Sequence, residues 1–172
     1  PPSGVAVLNG DDPFARRMGR DFSGQSLFYR LSFSKEDSGP VPDLFAAAIK
    51  TKGEREEVTV DGRWGKFDFS LPLLGRHNVA NALAAALVGL TLGFSPDEVA
   101  QGLAGVENME KRLRKLEIAG ITVFDDTYNA SPASVEAALA VLQKLNNPGR
   151  KIAVLGDMLE LGPISKEAHW QT

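Results

Sequence analysis

Phe124-Asp125-Asp126-Thr127-Tyr128-Asn129-Ala130-Ser131-Pro132 is the stretch on which the reading of this chain turns. Before it, Ile121, Val123 and Phe124 read as a short buried strand. After it, Val135, Ala138, Leu139, Leu142 and Leu145 recur at helical spacing, which predicts a helix from Pro132 onward. Ser131 is a good N-cap and Pro132 suits the first helical position. Asp125 and Asp126 therefore fall at the carboxyl end of a strand, and a loop carrying Tyr128 and Asn129 feeds a helix N-terminus. In open α/β sheets ligands bind at that edge, and free N–H groups at a helix start favour an anion. The same residue types also suit an ordinary strand-to-helix turn, in which Asp and Asn form the turn and cap the helix.

Downstream, Asn146-Asn147-Pro148-Gly149 is a strong turn signal. Residues 151–155 read as an apolar strand that exits into Gly156-Asp157. Strand 121–125, helix 132–145 and strand 151–155 predict a βαβ unit with a parallel pair. Upstream, residues 113–118 and 121–124 flank Gly120 and read as a hairpin or strand pair. Residues 106–112 are short, polar and without core periodicity, which predicts a domain boundary between 1–108 and 109–172.

In the first part, residues 5–8 read as a buried strand and Asn9-Gly10-Asp11-Asp12-Pro13 as the turn after it. A short helix is predicted from Pro13 to about Asp21. Residues 26–33 alternate, with Leu27, Tyr29, Leu31 and Phe33 on one face, as a strand does. Residues 45–51 form a weaker strand. Residues 57–60 and 66–71 flank Asp61-Gly62, a hairpin signal whose loop can extend through Arg63 to Gly65. A long helix is expected from about Asn78 to Leu92, with Val79, Leu83, Leu87 and Leu90 on one face and Gly93 at its end. Ser95 and Glu98 form a capping box for a helix running to about Ala104, stopped by Gly105.

Composition narrows the function. The chain has 172 residues, 43% hydrophobic and 24% charged, as a globular protein does. Its 19 basic and 22 acidic residues give a net charge of −3, so no basic field recruits nucleic acid or an anionic membrane. Cysteine is absent, which excludes disulfides and cysteine-ligated zinc. No apolar run approaches the ~20 residues that span a bilayer, and no signal peptide opens the chain. Both ends read as cut: Pro-Pro-Ser-Gly runs straight into a strand, and the chain stops at Thr172 inside a predicted helix.

Three constellations carry candidate chemistry. Arg76-His77-Asn78-Val79-Ala80-Asn81 opens the long helix, and His77 and Asn81 share a helix face. An amide there can read a purine edge because it both donates and accepts; capping by Asn78 and a surface His77 fit the same residues. Arg112, at the boundary, suits bidentate bonds to phosphate, beside the solvated charges Lys111, Arg114 and Lys115. The third is Ile152–Gly162 in the form IAVLGDMLELG, with Asp157 at a strand end and Met158, Leu159 and Leu161 as packing residues. There is no Gly-x-x-x-x-Gly-Lys-Ser/Thr phosphate loop, no His-Glu-x-x-His, no serine nucleophile elbow and no Cys–His pair.

DDTYNASP with Ser134 resembles the DD-x-YNA-x-P-x-S signature of the Mur ligases, in their D-alanyl-D-alanine-adding branch. Gly75–Ala85 resembles the adenine-side Gly-x-His-Asn-x-x-Asn-x-x-Ala-Ala motif of the same family, and 152–162 its LGDM-x-ELG segment. The resemblance covers essentially the whole chain and implies an α/β fold. It would be the second half of a Mur-ligase central ATPase domain (1–108), followed by the start of a Rossmann-like C-terminal domain (109–172).

It further implies a cytoplasmic ATP-dependent ligase of peptidoglycan precursor synthesis. That enzyme joins D-alanyl-D-alanine to UDP-N-acetylmuramoyl-tripeptide, with no nucleic acid, no membrane insertion and a monomeric state in the family. By the resemblance, His77, Asn81, Arg112, Asp125, Asp126, Tyr128 and Asn129 bind the nucleotide; no catalytic residue is assigned. The family's P-loop and its Mg2+ ligands fall upstream of this chain. Where the family has Gly-Arg, this chain has Lys111-Arg112. His169 matches a family position and equally an exposed helix histidine, and Asn9, Asp11 and Asp12 read as structural or supporting. Two other readings stand beside this one: another Mur-type amino-acid ligase, whose loop would be of D-Y-A-H-x-P type, and a non-catalytic nucleotide- or protein-binding module of the same fold.

With no phosphate loop to cradle the β- and γ-phosphates, the purified 172-residue chain is expected neither to hydrolyse ATP nor to form the amide. Phosphate release above background, abolished by a point substitution in the chain, would contradict this.

Overall fold

A computed structural model describes residues 3–34, 36–37, 39–107, 111–145 and 149–172. The predicted turn at Asn146-Asn147-Pro148 and part of the boundary segment lie outside them. The chain divides into two units, Pro1–Val106 and Glu107–Thr172.

The first unit is a five-stranded sheet in the order β1-β2-β3-β4-β5 with helices against it. Its elements are β1 (Val5–Asn9), α1 (Pro13–Asp21), β2 (Gln25–Arg30), β3 (Leu44–Lys52), β4 (Arg55–Gly62), β5 (Phe67–Leu71), α2 (Arg76–Thr91) and α3 (Pro96–Ala104). β1, β2 and β3 run parallel; β3, β4 and β5 form an antiparallel meander. The ladder of β2 ends at Arg30, short of the expected Phe33. Its next N–H, on Leu31, donates to the Asp11 carboxylate at 2.7 Å instead of to a strand. Phe33 then packs edge-on against Phe45, ring centroids 5.4 Å apart.

α2 supplies the core. Val79, Leu83, Ala86, Leu87 and Leu90 face the sheet, where Leu44, Val58, Val60, Phe69 and Leu71 receive them, all buried. α2 begins at Arg76, two residues before the predicted start, because Gly75 supplies the capping turn at φ +102°, a conformation open to glycine. The Gly75 N–H donates to Glu56 Oε1 at 2.9 Å, and Glu56 Oε2 accepts from the Thr51 hydroxyl at 2.8 Å. Glu56 is the one charged side chain buried among the described residues. It shares the face of Val58 and Val60 along β4, so the sheet pleat itself aims it at the helix start, where negative charge is favoured.

The second unit holds β6 (Arg114–Ile118), β7 (Ile121–Asp125), α4 (Pro132–Lys144), a 3-10 turn at Gly162–Ile164 and α5 (Ser165–Gln171). β6 and β7 form an antiparallel hairpin through Ala119 and Gly120, both at positive φ, the tight-turn geometry that fits strand twist. Three expectations are corrected here. The strand before Asp126 is not buried: Ile121 is 65% exposed, since a two-stranded ribbon has no second layer on that face. Residues 151–155 are exposed and join no ladder, so the predicted parallel βαβ pair does not form among the described residues. An apolar run encodes a preference for burial and not the strand that would provide it. Lys151 instead donates to the Gln143 carbonyl at 2.7 Å, in the last turn of α4. Third, the most buried residue of α4 is Val141, which the predicted stripe omitted.

Glu56→Ala is expected to lower stability by about 1–3 kcal/mol, because it leaves the part-buried Gly75 N–H without its acceptor. Glu56→Gln, which keeps one carbonyl acceptor, should lose less. Urea unfolding measures both, and an unchanged midpoint for Glu56→Ala would refute the role.

Candidate functional site

β7 runs directly into the loop that the sequence singled out. Asp125 is its last residue, opposite Arg114. Asp125 Oδ1 accepts the Thr127 hydroxyl at 2.7 Å and the Thr127 N–H at 3.1 Å, an aspartate turn closed on itself. The Thr127 hydroxyl first, then its N–H, hold the Asp125 carboxyl below its ordinary range, with smaller help from Lys111 and Arg114. Asp126 has a different partner: its Oδ1 accepts the Leu113 N–H at 3.0 Å. The Tyr128 N–H donates to the Lys111 carbonyl at 3.0 Å. The Tyr128 ring carries the Arg112 guanidinium, 4.4 Å from its centroid. Asn129 Oδ1 accepts from the Ala130 N–H at 2.9 Å. Ser131 then caps α4 in a reciprocal box with Ser134, and Pro132 takes the first turn, as predicted.

Lys111 and Leu113 have φ of +59° and +53°. Left-handed backbone costs an ordinary residue roughly 1–2 kcal/mol, so the two positions need outside support, and the loop supplies a bond to each. The lysine at 111 stands where the family pattern has glycine, and a left-handed position is one glycine fills without strain.

His77 and Asn81 lie in the first unit. Both are helical, one turn apart on α2 and off its buried stripe; His77 is half-buried and Asn81 exposed. Asn78 does not cap the helix. Its side-chain N–H donates to the Leu74 carbonyl at 2.9 Å, and no side chain caps α2. The structure thus assembles Arg112, Asp125, Asp126, Tyr128 and Asn129 around one loop and places His77 and Asn81 on one helix of the other unit.

The remaining motif residues are engaged internally. Asn9 Oδ1 accepts the Asp11 N–H at 2.9 Å, Asp12 caps α1, and Asp11 pairs with Arg30 at 2.9 Å. Asp157 is exposed beside the buried Met158. His169 is more than an exposed helix histidine. Its Nε2 accepts the Met158 N–H at 2.9 Å while its Nδ1–H donates to the Ser165 carbonyl at 2.7 Å, which fixes one neutral tautomer. Among the described residues no group of three His, Asp or Glu side chains converges to hold a metal, and no helix is long and apolar enough to cross a membrane.

The Mur ligase middle-domain family matches residues 1–89, just over half of the chain. The chain belongs to the Mur ligase family. The Mur ligase, glutamate ligase domain matches residues 109–172. The UDP-N-acetylmuramoyl-tripeptide–D-alanyl-D-alanine ligase of Bacillus subtilis is 34% identical over 167 residues, covering 96% of this chain and 34% of the relative. The crystal structure of MurF from Acinetobacter baumannii superposes with a TM-score of 0.85 at 33% identity, over 98% of this chain and 35% of that one. MurF ligase from Thermotoga maritima, solved in complex with ADP, gives 0.80 at 29% identity, over 98% of this chain and 37% of that one. The chain spans about a third of the length of the curated relatives it matches.

Sequence reasoning missed three contributors to this Mur ligase segment. Thr127 stands two residues after an aspartate, a turn signal that was available. Glu56 shares the period-two face of Val58 and Val60, so its burial was legible too. The left-handed backbone at Lys111 and Leu113 left no mark in residue type.

Replacing Thr127 by Val removes the first of the bonds that depress Asp125, so the Asp125 pKa is expected to rise toward its ordinary range, followed by carboxyl-carbon NMR titration. Because the folded-state value is lowered, Asp125 stabilises the fold above the ordinary aspartate range and loses that contribution as pH falls through its depressed pKa. An unmoved titration in Thr127→Val would contradict the assignment.

Proposed function

We propose that this chain is part of an ATP-dependent, ADP-forming ligase that adds D-alanyl-D-alanine to UDP-N-acetylmuramoyl-tripeptide during cytoplasmic peptidoglycan precursor synthesis. Residues 1–108 are then the C-terminal half of its central ATP-binding domain, and 109–172 the first part of its Rossmann-like C-terminal domain. One observation carries the reading: MurF structures, one of them with ADP, match nearly the whole chain across both units.

In that reaction ATP phosphorylates the terminal carboxylate of the tripeptide. The amine of D-alanyl-D-alanine attacks the acyl phosphate, and the products are an amide, ADP and phosphate. Positioning and electrostatic stabilisation of the transferring phosphoryl group carry most of such catalysis. The residues of this chain serve the nucleotide in this proposal. Asn81, with His77 one turn before it, offers its exposed amide to the adenine edge. Asp126 keeps an oxygen free of the Leu113 bond and accepts from the ribose hydroxyls. Arg112 presents a planar fork of donors to phosphate. Asp125, Tyr128 and Asn129 shape the loop that holds these groups. Magnesium belongs to the same reading, but no residue of this chain is assigned to it.

In the complete protein, Asn81→Ala is expected to raise the KM for ATP roughly 5- to 150-fold, the equivalent of about 1–3 kcal/mol for one stranded hydrogen-bond partner. The KM for D-alanyl-D-alanine should stay within about twofold. Steady-state kinetics of a folded variant with an unchanged ATP KM would remove Asn81 from the site.

A further inference from the structure

Three consecutive residues are gripped by one loop. The Tyr128 N–H takes the Lys111 carbonyl, the Tyr128 ring takes the Arg112 guanidinium, and the Asp126 carboxylate takes the Leu113 N–H. The residues on either side of Arg112 are both left-handed, a conformation that non-glycine residues hold only where surroundings enforce it. Between these two positions the Arg112 guanidinium lies over the Tyr128 ring, 4.4 Å from its centroid. The stacked pair is exposed, Tyr128 to 62%, so no core packing holds it.

We propose that Tyr128 is a positioning residue for Arg112, and that segment 111–113 is a latch closed by Asp126 and Tyr128. The proposal rests on the nucleotide role of Arg112 given above and adds how that role is prepared. A guanidinium stacked on an aromatic ring uses its flat face, while its five N–H donors point outward from its edges. The stack therefore fixes the direction of Arg112 without occupying the donors a phosphate needs. Long arginine side chains otherwise lose considerable rotamer freedom on binding, and the ring removes part of that loss beforehand. Asp126 ties the same latch to the ligand. A carboxylate has room for about four hydrogen bonds; Leu113 takes one on Oδ1, and Oδ2 remains for a hydroxyl donor. A sugar hydroxyl bound there shares a carboxylate with the backbone that aims Arg112.

The test uses the complete protein with Tyr128→Leu, Tyr128→Phe and Arg112→Ala, read in two ways. The Arg112 Nε–Hε proton, shifted by the ring current of Tyr128, reports the stack by NMR. Steady-state kinetics report the KM for ATP and for D-alanyl-D-alanine. Tyr128→Leu is expected to collapse the ring-current shift and raise the ATP KM about threefold, the size of an exposed cation–π contact, with the D-alanyl-D-alanine KM unchanged. Tyr128→Phe, which keeps a ring face, should restore both readouts. An identical Arg112 shift in Tyr128→Leu overturns the latch. A collapsed shift with an unmoved ATP KM, while Arg112→Ala raises that KM, overturns the positioning role and leaves the nucleotide role of Arg112 standing. An ATP KM untouched by Arg112→Ala overturns the nucleotide role and this proposal with it.

Discussion

The packing of α2 onto the sheet is the constraint from which the first unit follows. Leu83 and Leu87 are fully buried against Leu44, Val58, Val60 and Leu71, and each such side chain contributes roughly 1.5–3 kcal/mol by leaving water. Once that stripe is seated, the helix start is no longer free to slide. Glu56, on the same sheet face, receives the N–H of Gly75 and fixes the residue from which α2 begins. His77 and Asn81 stand where they do because a buried carboxylate one strand away sets the first turn of their helix.

The second unit is organised by a different physics. Among its described residues only Val141 and Met158 are buried hydrophobics. Its order comes instead from individual hydrogen bonds, some within one turn and some between separate segments: the Asp125–Thr127 turn, the Ser131–Ser134 capping box, the Asp126–Leu113 and Tyr128–Lys111 bonds, and the His169–Met158 link. Such bonds contribute about 1 kcal/mol each, so they choose a conformation more than they provide bulk stability.

One loop thereby makes two kinds of contact. Asp125 and Asp126, adjacent in sequence, point to separate partners, one closing its own turn and the other gripping the segment that carries Arg112. Tyr128 adds a ring under the guanidinium. These groups shape the segment beside the loop, 111–113.

The sequence by itself determined the family, most elements of the first unit, the capping of α3 and α4, and the Asp125–Asn129 loop before a helix. These are local properties: period-two and helical spacing, cap residues and a motif all act within a few residues. The tertiary structure alone decided that 151–155 joins no strand among the described residues, that β7 is an exposed ribbon edge, that Glu56 reaches α2, and that Lys111 and Leu113 turn left-handed under the loop. Each depends on which distant group satisfies a backbone or side-chain polar atom. Residue type states the demand for a partner, and only the folded chain supplies it.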